Sequence, residues 1–182
     1  MRIIPEETMA LIIDLQEKLV PAMPDVPKLL KNTKALIEGL KIAGVPMIIT
    51  EQYPRGLGAT VKEIMEVALD TPVMEKLEFS CYDNEQIRQA IVASGKKNIM
   101  VCGIEAHICV MQTVIDLKSA GYNVIFVEDC VQSRKIHDQK MGVKRAEFEG
   151  ACITTCEGIL FELVRKAGTP QFKQLSALVK NL

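Results

Sequence analysis

Short, almost wholly apolar runs alternate with stretches of helical periodicity along the chain. The runs lie at Thr8 to Asp14, Pro46 to Thr50, 98–102 (Asn-Ile-Met-Val-Cys) and Asn123 to Val127, with weaker ones at Pro72 to Glu75 and Ala151 to Thr154. Runs this short, without strict polar alternation, predict strands covered on both faces. Between them, apolar residues recur at helical spacing from about Val26 to Ala43, Thr60 to Ala68, Asn84 to Ser94, 107–120 and His137 to Glu149, then from about Cys156 to Lys166 and Gln171 to Asn181. Gly44, Gly95 and Gly121 stand where helices would stop. The segments Glu51 to Gly58, with Tyr-Pro-Arg-Gly-Leu-Gly, and Glu128 to Arg134 read as loops.

Strands alternating with helices predict a mostly parallel sheet with helices on both faces, a three-layer, doubly wound α/β fold in one domain over residues 1–182. Ligands in such folds bind beyond the carboxyl ends of the strands. That rule singles out Asp14, the 51–58 loop, Lys76, the 103–109 turn and the loop after Glu128. No apolar run approaches the ~20 residues of a membrane helix. The start of the chain has neither a signal-peptide core nor a transit-peptide pattern, so a cytoplasmic protein is expected.

A net charge of -1 argues against a protein built around a nucleic-acid backbone. Six cysteines are present, and only Cys152 and Cys156 are close in sequence. With no second pair and no adjacent histidine, no metal site is expected.

The turn Gly103-Ile104-Glu105-Ala106-His107-Ile108-Cys109 joins a strand to a helix. A cysteine there meets unpaired N–H groups and the positive end of the helix dipole, which would lower its pKa and suit it to be a nucleophile. Equally, it could be a small buried hydrophobe in a packed first turn. Asp14 is either a strand-end turn residue or a general base near the thiol. Lys76 is either a solvated lysine or the cation that holds Asp14 ionised. His107 stands two residues from Cys109, a spacing that does not face it on a helix. It would touch substrate or solvent, or simply begin the helix.

Three segments together resemble the isochorismatase-like cysteine hydrolases: Leu-Ile-Ile-Asp14-Leu-Gln16, Lys76-Leu-Glu-Phe-Ser80-Cys-Tyr82 and Gly103-Ile-Glu-Ala-His-Ile-Cys109-Val110. Thr50-Glu-Gln-Tyr-Pro-Arg-Gly-Leu-Gly58 is similar to a branch of small isochorismatase-domain proteins, some of which carry a ribonuclease label. The resemblance implies an Asp14, Lys76, Cys109 triad and a cis peptide at Ile104–Glu105. The N–H groups of Glu105 and Cys109 would then form an oxyanion hole. Gln16, Gln52, Tyr53 and His107 are expected on the pocket wall. The histidine of a nicotinamidase-type metal loop is missing at 51–54, so no metal or organic cofactor is expected. Ala106-His107 also departs from the Thr-Asp of many relatives.

This reading makes the chain a hydrolase that cleaves an amide-like C–N bond of a small molecule through a Cys109 thioester. A homo-oligomer (dimer, tetramer or larger) is expected, with no membrane partner and with nucleic acid disfavoured. A non-hydrolytic binding protein, a ribonuclease-like member of the branch and a redox thiol protein remain the alternatives.

Overall fold

The computed structural model of the chain describes residues 2–180 and Leu182. Six strands form one sheet in the order β3-β2-β1-β4-β5-β6, with every pairing parallel. They are β1 (Thr8–Ile13), β2 (Met47–Gln52), β3 (Val73–Lys76), β4 (Asn98–Ile104), β5 (Asn123–Gln132) and β6 (Cys152–Thr154). The helices are α1 (Val26–Ala43), α2 (Pro54–Leu57), α3 (Lys62–Val67), α4 (Glu85–Ala93), α5 (Cys109–Ser119), α6 (Ile136–Phe148), α7 (Cys156–Val164) and α8 (Pro170–Val179). The α1 helix packs against α3, α7 and α8, and α5 packs against α6, β4 and β5. The layers are those the alternating pattern predicts.

Covering both faces explains the unbroken apolar runs. Met9 to Ile13 are at most 2% exposed, as are Ile99 to Cys102. Burial of one such Leu or Ile side chain contributes about 1.5–3 kcal/mol, and here the contribution is collected on both sides of each central strand. Helix ends follow local chemistry. The Asp25 side chain accepts from the Lys28 N–H at 3.1 Å and starts α1, and Gly44, at φ 73°, ends it. Asn84 caps α4 by accepting from the Gln86 and Ile87 amides.

Strands β2, β4 and β5 run further than the sequence expectation, β4 continuing through Gly103 and Ile104. The segment read as a loop from Glu51 contributes its first two residues to β2, and 54–57 is a helical turn. Likewise β5 runs on to Gln132, past Glu128 and Asp129. A register shift against β4 between Val101 and Gly103 accompanies the extension. The acidic pair is tolerated because Glu128 is exposed and the Asp129 carboxylate accepts from the Cys156 N–H at 2.7 Å. The end expected for the last helix, Asn181, lies outside the described residues. Among the described residues, no helix is long and apolar enough to cross a membrane.

The strand order reverses direction between β1 and β4. Chain order runs outward from β1 to β3 on one side and from β4 to β6 on the other. A crevice opens at such a switch point, beyond the carboxyl ends of the two central strands. Asp14 and the 103–109 turn stand at those ends.

Candidate active site

Asp14 is the first residue after β1 and adopts a left-handed conformation, φ 54°. Aspartate is one of the few non-glycine residues that enter this region readily. The turn leaves Asp14 fully buried, with each carboxylate oxygen gripped from a different strand. Lys76 Nζ at the end of β3 donates to Oδ2 at 2.6 Å, and the Thr50 hydroxyl in β2 donates to Oδ1 at 2.7 Å. The Lys76 ammonium also donates to Gln52 Oε1 at 2.9 Å and to the carbonyls of Phe79 and Glu78 at 3.2 and 3.3 Å. Burial acts to lower the pKa of Lys76. It is the largest single influence, but the charges of Asp14, Cys81 and Cys109 and the hydrogen bond to Asp14 together outweigh it, and the net shift is upward. Lys76 is therefore a fixed cation.

Cys109 opens α5 and is 6% exposed. Its thiol shares the site with Asp14 and Lys76. Burial raises its pKa first and the Asp14 charge second. Lys76 opposes both, while a hydrogen bond to Asp14 adds a further upward push, and the net shift is strongly upward. This corrects the sequence expectation of a lowered pKa. The helix dipole favours thiolate, but the loss of water around the sulfur works against it. The resting group is a neutral thiol beside a carboxylate.

The Ile104–Glu105 peptide is cis. Ile108 N–H and Val110 N–H both donate to the Glu105 carbonyl, at 3.0 and 3.3 Å, and wrap the turn around it. Among the described residues, the N–H groups of Glu105 and Cys109 donate to no protein acceptor. The Glu105 carboxylate is buried. It accepts from the Arg134 N–H at 2.9 Å and from Arg134 Nε at 3.1 Å, which ties the turn to the end of β5.

The four residues expected on the pocket wall divide. Both amide hydrogens of Gln16 go to the carbonyls of Gln52 (2.9 Å) and Gly58 (2.7 Å), and its Oε1 accepts from the Gln52 N–H at 2.8 Å. Gln16 is fully buried and serves the scaffold. Gln52 acts on Lys76, with its own Nε2 donating to the Leu77 carbonyl at 2.7 Å. Tyr53 is half exposed and, with Arg55, Lys76 and Leu77, lines a cavity of about 380 Å³. His107 lines another of about 320 Å³ with Glu105, Arg134 and Asp138, its Nδ1 lying 2.9 Å from the Ser133 hydroxyl.

Thr50, Arg134 and Thr113 were not foreseen. Thr113 Oγ1 accepts from the Cys81 N–H at 2.9 Å and donates to the Cys109 carbonyl at 2.7 Å, coupling the loop after β3 to the first turn of α5. A hydroxyl ending the apolar run of β2 was the available signal for Thr50.

The family model described as the isochorismatase domain matches residues 8–157. The chain belongs to the isochorismatase family. It is 36% identical to the secreted isochorismatase effector Isc1 of Phytophthora sojae over 98% of this chain and 87% of that protein. The structure titled MAR1 ribonuclease from Caenorhabditis elegans superposes with a TM-score of 0.92 at 36% identity, covering 99% of this chain and 93% of that one. The Escherichia coli YcaC product, described as an octameric hydrolase of unknown specificity, superposes with a TM-score of 0.91 at 25% identity, covering 99% and 90%.

Proposed function

We propose that this isochorismatase-family protein is a cysteine hydrolase that cleaves the C–N bond of a small amide-like molecule through a thioester on Cys109. The observation that carries the reading is the buried 2.6 Å contact of Lys76 with Asp14, together with the Cys109 thiol lying close enough to that carboxylate for its charge to push the thiol pKa up. A thiol with a raised pKa needs a base at the moment of attack, and Asp14 is in place to be that base.

Asp14 takes the thiol proton as the sulfur bonds to the carbonyl carbon, and Lys76 balances the negative charge. The N–H groups of Glu105 and Cys109, which lack protein acceptors, hold the oxyanion. Such donors are worth about 3–4 kcal/mol each in the transition state. Asp14 returns the proton to the departing nitrogen as the C–N bond breaks. Water, deprotonated by the same carboxylate, then cleaves the thioester and restores the thiol. The sequence uses only side chains and backbone of this chain. Tyr53 and His107, whose polar groups line open cavities, are the proposed substrate contacts, and Gln52 acts through Lys76.

A homo-oligomer and a cytoplasmic setting belong to this reading. The similar YcaC is octameric, Tyr53, Leu77 and Phe79 stand exposed near the Lys76 cavity, and all six thiols are free. A ribonuclease is the second reading. The observation favouring it is the exposed basic series Arg134, Lys135, Lys140, Lys144 and Arg145 leading into and along α6. Ammonia release from a panel of small primary amides, with wild type, Cys109→Ala and Cys109→Ser, tests the proposal. Turnover lost in both variants supports it. Salt-sensitive RNA cleavage unaffected by Cys109→Ala, with no amide turned over, sinks it.

A further inference from the structure

We propose that Thr50 is a positioning residue for the Asp14 base: its hydroxyl proton, directed onto Asp14 Oδ1 at 2.7 Å opposite the Lys76 contact on Oδ2, orients the carboxylate toward Cys109 and keeps it ready to accept the thiol proton. The inference rests on the reading of Asp14 as the base.

A hydroxyl can donate one hydrogen and accept two. At Thr50 the direction of the proton is set from behind. The Cys81 thiol lies 3.8 Å from Thr50 Oγ1, with the sulfur as donor. Cys81 is fully buried, and burial above all pushes its pKa up to about 11, so at neutral pH it keeps the hydrogen it donates. A directed series results: Cys81 S–H to Thr50 O–H to the Asp14 carboxylate. Thr50 is itself fully buried. The loop carrying Cys81 is also pinned through Thr113 to the Cys109 carbonyl, so nucleophile and donor series are held by one junction.

The charged and titratable groups facing Asp14 are Lys76 from β3, Cys81 from the loop after it and Cys109 from α5. On β2 the neighbouring Glu51 turns away, its carboxylate accepting from the Thr60 N–H and hydroxyl at 2.6 and 2.7 Å. Lys76 thus supplies charge to Asp14, and Thr50 supplies a neutral hydrogen bond. A hydrogen bond to the ionised form favours that form. Removing it withdraws that support and leaves one oxygen free to turn from the thiol.

The test is the rate of Cys109 alkylation by iodoacetamide from about pH 4 to about pH 8, resolved by peptide mapping, in wild type, Thr50→Val, Thr50→Ser and Asp14→Asn. Thr50→Val should move the acid limb of the profile up by about one pH unit, a roughly tenfold slower reaction along that limb. Thr50→Ser, which restores the donor, should return the wild-type limb. A purely structural role would change the melting temperature and leave the limb in place. Thr50→Ala makes the same comparison should the Val variant not fold. A folded Val or Ala variant with the wild-type limb overturns the positioning role while leaving the base intact. Alkylation indifferent to Asp14→Asn overturns the base itself, and the positioning role with it.

Discussion

At the scale of single residues, the site is governed by burial. Cys109 sits where a helix dipole would favour thiolate, yet it is kept as a thiol because water is excluded and a carboxylate lies beside it. Asp14→Asn should therefore act in two directions. It removes the second-largest cause of the raised thiol pKa, so the Cys109 pKa falls, as thiolate absorbance against pH would read. It also leaves Lys76 a buried, uncompensated cation, which should cost about 3–5 kcal/mol in urea unfolding. Lys76 has the opposite pH signature to an acid-labile group. Its folded pKa is raised above 10.5, so its contribution is complete below that value and is lost only as pH climbs through the folded value. The destabilisation caused by Lys76→Met should be the same at neutral and mildly alkaline pH and shrink above about pH 10.5. From position alone Asp14, Lys76 and Cys109 each stood between a structural and a chemical reading, and the resemblance chose the chemical one; the structure brings their side chains to one place. Thr50 was not, because a threonine at a strand end is ordinary β composition, and only the sheet register, Ile13 beside Thr50, brings it to Asp14. Gln16 and Gln52 looked like substrate contacts because the sequence cannot show that they bond each other's segments. Gln16→Ala would orphan the Gln52 N–H and the Gly58 carbonyl, so a loss of about 2–4 kcal/mol is expected in thermal or urea unfolding.

At the scale of elements, close backbone approach holds the 103–109 turn. Gly103 in β4 has φ 113°, and a Cβ there would collide with the Ile13 carbonyl oxygen. Gly142 in α6 lets that helix lie on the turn, since a Cβ would meet the Ala106 carbonyl carbon and oxygen at 2.8 Å. Neither obstacle is a flexible side chain. Gly103→Ala should destabilise by more than about 4 kcal/mol, through strain and β1–β4 separation together. Gly142→Ala should cost about 1–3 kcal/mol and alter Cys109 alkylation, because the atoms it displaces belong to the turn. Strand and helix order was readable from periodicity alone. The extension of β5 was not, because Glu128 and Asp129 mimic a loop until Asp129 is seen to cap α7. The role of Gly142 was equally hidden, since a glycine inside a helical pattern gives no sign of what lies against it.

At the scale of the molecule, the sheet order makes the site. Reversal of direction between β1 and β4 puts Asp14 and the 103–109 turn at one crevice. Lys76 reaches Asp14 from β3, two strands away, across Thr50 and Gln52 of the intervening β2. Asp14 and Lys76 are thus carried by one half of the sheet and Cys109 by the other, so the three come together only when both halves are folded. The family is shown by the match over residues 8–157, and the thioester on Cys109 is the central claim of the proposed function. The most direct measurement is intact-protein mass spectrometry on acid-quenched turnover of the most reactive amide of the panel, with peptide mapping. The account predicts an acyl mass on the peptide bearing Cys109 in wild type, absent in Cys109→Ser, with free amine or ammonia formed alongside. Hydrolysis of that amide by Cys109→Ala at the wild-type rate, with no adduct on Cys109, would contradict it.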